Sequence, residues 1–372
     1  MSQICAPYRY DIVGSFLRPA PLKVARERYA AGAITAGQLQ AAEDIGIRTL
    51  VEQQKQAGLL AVTDGEFRRA YWHLDFLWHL TGVQKEEVEH FSIAFQGHQP
   101  KSQTLRIVDK VDFSADHPFL AHFRFLNSIS DGVTAKQCIP SPAMLHLICC
   151  VRSENYTPID RYQDEEILLE EIALAYQKAI LAFYEAGCRY LQLDDTSWGE
   201  LCSQEKRAGY AARGIDADAL ARKYVRLVNR ALQAKPADMV ITMHICRGNF
   251  RSTWFTSGGY EPVAETLFGG CKVDGFFLEY DSARSGGFEP LRFIQKQKVV
   301  LGLITSKDPQ LEEKQAVIAR IHEAAKYVPL EQLAISPQCG FASTEEGNLL
   351  TEEEQWNKLA LVRQIAQEVW GA

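Results

Sequence analysis

Residues 164–195 read DEEILLEEIALAYQKAILAFYEAGCRYLQLDD. Apolar residues fall at Ile167, Leu168, Ile172, Leu174, Ala175 and Ile180, the spacing of a helix that buries one face. That spacing predicts a helix over Asp164–Ala186, and Gly187 ends it, since glycine accepts the left-handed turn of a helix C-terminus. Tyr190–Leu193 then reads as a buried strand running into Asp194-Asp195. The same order of elements recurs on either side. Strand-like runs are expected at Tyr10–Ser15, Leu59–Thr63, Gln137–Pro140, Met239–Met243, Val273–Leu278, Val299–Ile304 and Leu333–Ser336. Helical patterns are expected at about Ala36–Ala57, Ala217–Ala234, Pro262–Phe268, Pro290–Gln295, Gln310–Tyr327 and Glu352–Trp370. Alternating β and α units imply a parallel sheet, and eight of them suit a closed (β/α)8 TIM barrel. A doubly wound open sheet is the alternative. Its usual dinucleotide-binding form is removed, because no glycine-rich phosphate fingerprint follows the first strand.

The length of 372 residues divides into two to three typical domains of ~150 residues, yet one barrel with insertions can exceed 300. A single barrel over residues 1–372 is the expectation, with an insertion at about 70–135 between the second and third strands. That region is too long for a plain connection and reads as a helical hairpin with a lid-like β segment. Hydrophobic residues at 47% and charged residues at 23% are ordinary globular values. Forty basic against 47 acidic residues give a net charge of −7, so no basic surface for nucleic acid or an anionic membrane is implied. The longest apolar stretches, such as Leu145–Val151, fall far short of the ~20 residues of a membrane span. Met1–Pro7 lacks the basic and apolar regions of a secretory signal. A soluble cytoplasmic protein is expected. Nine cysteines, odd in number and irregularly spaced, argue for reduced thiols rather than a disulfide framework.

Polar residues gather where the strands end. Glu66, Asp194, His244, Cys246, Glu279 and Cys339 all sit at or just past a strand C-terminus, the end at which a barrel builds its active site. In an extended segment residues i and i+2 point the same way, so His244 and Cys246 can address one point. Imidazole and thiolate suit Zn²⁺, and Glu279 and Cys339 can complete a tetrahedral set. Taken alone, a His-x-Cys pair is more often a packed histidine beside an inert buried cysteine. The carboxylates have two readings. Asp64 and Asp195 serve equally as helix caps, whereas Glu66 and Asp194 are candidates to hold a substrate ammonium through charge-assisted hydrogen bonds. Gly14-Ser15 offers an amide and a hydroxyl to a carboxylate. Amine and carboxylate sites beside a metal point to an amino-acid thiol. The aromatic run Tyr71-Trp72-His73, Phe76 and Trp78 reads either as a helix core face or as the lining of a second-substrate pocket.

At these residues the chain resembles a known family. The segments Val13-Gly14-Ser15-Phe16, Asp64-Gly65-Glu66, Leu193-Asp194-Asp195, Met243-His244-Ile245-Cys246 and Pro337-Gln338-Cys339-Gly340 are similar to the C-terminal catalytic barrel of the cobalamin-independent methionine synthases. The resemblance runs from about Tyr8 to Val369. It is nearest to the short, single-barrel branch described as 5-methyltetrahydropteroyltriglutamate–homocysteine methyltransferase-like. It implies zinc held by His244, Cys246, Glu279 and Cys339. It further implies homocysteine bound through Gly14 and Ser15 at its carboxylate and through Glu66 and Asp194 at its amine. The expected activity is transfer of a methyl group to the homocysteine thiol, giving methionine, from a polyglutamylated methyltetrahydrofolate or another donor. Metal coordination deprotonates a thiol that is otherwise largely protonated at neutral pH.

Three departures accompany the resemblance. The length leaves no room for the duplicated N-terminal barrel of the long members. The family's acid histidine, in an Asp-Ile-His-Ser-like segment, becomes Thr305 within Leu303-Ile304-Thr305-Ser306. The family's Thr-Gly-Pro loop becomes Pro140-Ser141-Pro142. Replacement acids are then sought at Asp195, His73 or His79. Two other readings stay open. One is zinc-dependent alkyl transfer to a different thiol, as in coenzyme M transferases, which lack the substrate amine. The other is a zinc- or thiol-binding protein without turnover.

Overall fold

The computed structural model describes residues 5–87, 103–153 and 156–371. Its centre is a parallel sheet of short, buried strands. They are β1 (Ala61–Val62), β4 (Thr134–Pro140), β5 (Tyr190–Asp195), β6 (Val240–Ile245), β7 (Gly275–Glu279), β8 (Lys298–Ile304) and β9 (Leu333–Pro337), hydrogen-bonded in that order. Every neighbouring pair is parallel. A parallel sheet covered by helices buries both faces of its strands, which is why runs such as Val240–Ile245 and Gly275–Glu279 are apolar almost throughout. The remaining two strands, β2 (Thr81–Glu87) and β3 (Gln103–Asp112), form a separate antiparallel pair.

The N-terminal run Tyr10–Ser15 forms no continuous strand. It meets the two edges of the curled sheet instead, with parallel bridges from Tyr10 to Ile335 on β9 and from Ser15 to Gly65 just past β1. The Asp11 amide donates to the Ile335 carbonyl at 3.0 Å, and the Phe16 amide to the Gly65 carbonyl at 3.1 Å. The ladder breaks between these points at Gly14, where φ is +154°. A Cβ at Gly14 would stand 2.6 Å from Cys138 Sγ, so only glycine passes here. The architecture is an α/β fold with a curled parallel sheet, the arrangement of a TIM-like barrel.

Helices alternate with the strands along the chain. The helix expected over Asp164–Ala186 spans Glu165–Glu185, with the Asp164 carboxylate accepting from the Glu166 amide. Its inward face buries Leu168, Ile172, Tyr176, Ile180 and Phe183. Each such large apolar side chain contributes roughly 1.5–3 kcal/mol. Gly187 follows at φ +101°. Capping boxes at Thr35/Gln38 and Thr351/Glu354 fix the starts of Ala36–Gln56 and Glu352–Trp370. Short helices at Ala20–Ala30, Pro118–Ile129, Pro142–His146, Ser197–Cys202 and Gln204–Ala212 were not anticipated from periodicity. Pro118–Ile129 opens with proline at its first position and is capped by the His117 imidazole, a weaker signal than Ser or Asp. Among the described residues no helix is long and apolar enough to cross a membrane.

Between β1 and β4 lie the short helix Leu74–Leu77, the β2–β3 pair and the helix Pro118–Ile129. Residues 88–102 of the expected insertion fall outside the described residues. The start of this segment is stitched to the loop after β9. Tyr71 bridges to Thr344, the Trp72 amide donates to the Ser343 carbonyl at 2.9 Å, and the Glu345 amide donates to the Ala70 carbonyl at 2.9 Å.

Candidate metal centre

Because the seven strands of the sheet run parallel, their C-terminal ends collect at one side. His244 lies on β6 and Cys246 directly follows it, Glu279 closes β7, and Cys339 stands two residues beyond β9. All four are buried, and their donor atoms lie within 4.8 Å of one another. The Cys246 and Cys339 sulfurs are 3.7 Å apart. Two sulfurs bound to Zn²⁺ at ~2.3 Å and subtending a tetrahedral angle stand about 3.8 Å apart. Neither ring nitrogen of His244 has a hydrogen-bond partner, although both are buried. Buried polar atoms are nearly always satisfied, so an imidazole left bare beside two sulfurs and a carboxylate fits a cation. The two sulfurs are in hydrogen-bond contact. The hydrogen bond from Cys246 holds Cys339 well below the usual thiol range, and the same bond pushes Cys246 well above it.

Neighbouring groups hold the donors in place. The Gly248 amide donates to Cys246 Sγ at 3.3 Å. Glu279 Oε1 accepts from the Arg247 amide at 2.9 Å, and Oε2 accepts from Arg284 at 3.3 Å. Arg284 is shared with Asp281, at 2.9 Å.

The carboxylate pair lines a cavity above this set, together with Val13, Ser15, His244, Cys246 and Cys339. Glu66 pairs with Arg69 at 3.2 Å through one oxygen, while its other oxygen is buried without a partner. Burial pushes its carboxyl up to about 7; Arg69 opposes the rise and the neighbouring Asp194 adds to it. Asp194 accepts from the Gln192 side chain at 2.7 Å. Burial raises it to about 6, against the pull of His244 and Gln192. Two buried carboxyls with spare acceptor capacity can accept charge-assisted hydrogen bonds from a cationic group. Ser15 places its hydroxyl on the wall, where Oγ also accepts from the Ala342 amide at 3.2 Å. Gly14 is not on the wall: the side a Cβ would occupy is filled by Cys138, and its carbonyl accepts from Thr63 Oγ1 at 2.6 Å. Glu279 also lies off the wall, fully buried.

The aromatic run divides between the two readings given to it. Tyr71, Trp72 and His73 line the cavity, and Trp72 stacks on His73 with ring centroids 4.4 Å apart. Phe76 belongs to the core, against Phe113, His117 and Phe119, and Trp78 lies under Lys85. The sought replacement acids fare unevenly. Asp195 is fully buried and engaged by the Ser141 hydroxyl and by Ser197, whose amide donates at 2.7 Å. His79 is exposed, with its ring on the Asp75 carbonyl. His73 does reach the cavity, but burial lowers it to about 3, with Arg152 adding to the effect, and it stays neutral. The Thr305 hydroxyl accepts from the Lys307 amide at 3.2 Å.

Sequence reasoning passed over several wall residues. Arg152 binds Glu200 at 2.6 Å and Thr196 at 3.2 Å. Asn249 donates to the Gly340 carbonyl at 2.7 Å and so ties the loop after β6 to Cys339's neighbour. Arg152 directly follows the apolar run Leu145–Val151, a polar step that could have marked it.

Residues 11–368 match the family described as cobalamin-independent synthase, catalytic domain. The chain is 50% identical to the uncharacterized protein YxjH of Bacillus subtilis (strain 168), over 98% of its own length and 95% of that protein's. It is 23% identical to a methionine synthase of Saccharolobus solfataricus, over 88% and 86% of the two lengths. Among solved structures, a candidate vitamin-B12 independent methionine synthase from Listeria monocytogenes superposes with a TM-score of 0.77 at 46% identity, covering 99% of both chains. A B12-independent methionine synthase from Shewanella sp. W3-18-1, solved with selenomethionine, gives 0.69 at 19% identity over 97% of both, a likeness of fold. With its strand-end donors and its match over nearly the whole length, the chain belongs to the cobalamin-independent methionine synthase catalytic-domain family.

Proposed function

We propose that this protein is a zinc-dependent methyltransferase that methylates the thiol of homocysteine to give methionine. One observation carries the reading: four buried donors with sulfurs 3.7 Å apart converge at a cavity whose wall also holds the Glu66 and Asp194 carboxyls. His244, Cys246, Glu279 and Cys339 are the zinc ligands in this reading, and Zn²⁺ when bound supplies the positive charge that keeps a substrate thiol deprotonated at neutral pH. Glu66 and Asp194 receive the substrate ammonium, and the Ser15 hydroxyl receives its carboxylate, with Gly14 providing the room for that turn. Holding both ends of the amino acid fixes the thiol beside the metal position, where orientation alone lowers the barrier. Tyr71, Trp72 and His73 wall off the side from which a methyl donor enters.

The chain as a whole, residues 1–372, is then one eight-stave barrel in which Tyr10–Ser15 closes the gap between β9 and β1. The segment at about 70–135 is its insertion, and Tyr71, Trp72 and His73 at its start line the cavity. Nine free cysteines suit a reducing compartment, the cytoplasm. The partners are a small thiol and a methyl donor, with no nucleic acid or membrane. Alkyl transfer to coenzyme M is the weaker reading, since that thiol carries no amine for Glu66 and Asp194.

Metal content tests the proposal. Purified protein should carry about one Zn²⁺ per chain, and Cys246→Ser or Cys339→Ser should lose most of it. Full zinc in both variants, measured by atomic emission, would refute the ligand assignment. A new sulfur ligand at zinc on adding homocysteine but not coenzyme M, seen by X-ray absorption, separates the thiols. Absence of product with every methyl donor tried would leave a binding protein.

A further inference from the structure

The site reading above leaves one cation unexplained. Lys307 follows β8, and β8 lies between β7 and β9 in the sheet, so its exit loop emerges among the strands that supply Glu279 and Cys339. Lys307 Nζ is buried and has no hydrogen-bond partner; no other lysine nitrogen among the described residues is in that state. An ammonium removed from water without a partner is strongly unfavourable. Something anionic must face it.

The backbone around Lys307 is fixed to the Cys339 segment. The Ser306 amide donates to the Gln338 side chain at 2.6 Å, and Ser306 Oγ donates to the Gly340 carbonyl at 2.9 Å. Asn348 donates to the Ser306 carbonyl at 2.7 Å. Three hydrogen bonds thus hold residue 306 against both neighbours of Cys339 and against the loop beyond. The Lys307 stem leaves from this anchored point. The buried ammonium lies within electrostatic reach of Cys246 and Cys339.

Charge counting gives the reason. A dication held by two thiolates, one carboxylate and a neutral imidazole leaves one net negative charge. Arg284 already divides its charge between Glu279 and Asp281. No carboxylate engages Lys307, so its charge remains for the sulfurs. Lys307 is not among the residues that line the cavity.

We propose that Lys307 is the counter-cation of the four-donor set: a positioning residue whose buried ammonium offsets the excess negative charge of the two sulfurs and so strengthens metal retention. This rests on the zinc reading above, and its test keeps the two apart. Zinc affinity is measured by competition with a chromophoric chelator at fixed pH. The Co²⁺-substituted protein is examined in parallel for its thiolate-to-metal absorption. Lys307→Met should weaken zinc binding by about 10–100-fold, the range for groups just outside a metal's ligands, with the Co²⁺ spectrum unchanged because all four ligands remain. Lys307→Arg should stay near wild type. If Lys307→Met does not fold, Lys307→Gln takes its place in the same assay. Wild-type affinity in the neutral variant would overturn the proposal, as would Lys307→Arg binding as weakly as the neutral variant. Unchanged zinc affinity in Cys246→Ser and Cys339→Ser would instead overturn the site reading on which it stands.

Discussion

Glu66 holds φ at 61°, in the left-handed region that non-glycine residues seldom occupy. Such strain costs about 1–3 kcal/mol and gathers at functional sites. Here it follows Gly65 at the end of β1 and turns a carboxyl into the cavity rather than toward solvent. Because burial lifts that carboxyl to about 7, Glu66 is partly protonated near neutrality. An incoming ammonium favours the ionised form, so that proton must leave. Homocysteine affinity should therefore rise as pH increases through about 7, with proton release detectable by calorimetry in buffers of different ionisation enthalpy. Glu66→Gln should flatten this rise. Both Glu66→Gln and Asp194→Asn should weaken homocysteine by about 1.5–3 kcal/mol each while leaving zinc content intact. Unchanged affinity in both would make the two acids structural. These side chains were legible in the sequence because each sits at or just past the end of an apolar run. Lys307 and Asn249 were not, since each lies in a loop tied by hydrogen bonds to distant segments.

The element that joins the sheet edges is the segment from Tyr10 to Phe16. It reads in sequence as an ordinary strand, and its alternation gave no sign that only its two ends would pair. The reason is Gly14, which turns the chain past Cys138 while Ser15 packs against Gly340; a Cβ at Gly340 would fall 2.0 Å from Ser15 Oγ. Gly14→Ala should therefore lower stability by about 1–3 kcal/mol, the usual range for a residue forced into a disfavoured backbone region. Adding Cys138→Ala should return only the steric part. A urea titration of the single and double variants measures both, and a fully stable Gly14→Ala would mean the segment has slack the packing does not show. The long helices were read to within four residues at each end because period and caps agree, as at Thr351 with Glu354. The short helices of the loops were not, because five to twelve residues hold too few turns for a period to emerge. Strand positions survived for a different reason: burial on both faces writes them as continuous apolar runs.

At the scale of the molecule, the proposed activity makes the cavity wall, built from the loops after β6 and β9 and from Tyr71, Trp72 and His73, the selector of methyl donors. A methylfolate leaves as an amine anion unless its nitrogen is protonated, and a positioned acid is typically worth ~10²–10⁴-fold in rate. The walls of the cavity offer no such acid with homocysteine in place. His73 stays neutral because burial lowers it to about 3. On the proposed reading, the substrate ammonium keeps Glu66 and Asp194 ionised. Thr305 is a hydroxyl and accepts from the Lys307 amide. A donor whose leaving group departs neutral, such as a sulfonium, needs no proton. The wall formed by Tyr71, Trp72, Phe250 and Phe255 suits a positively charged, apolar methyl carrier, because aromatic faces attract cations. Monoglutamyl methyltetrahydrofolate should accordingly react slowly or not at all with homocysteine on the zinc-loaded protein, while a methylsulfonium donor reacts readily. A chromatographic methionine assay with both donors, run on wild type and His73→Ala, decides between them. Rapid turnover of the monoglutamyl folate that persists in His73→Ala would place an acid elsewhere and return the protein to folate-dependent methionine synthesis.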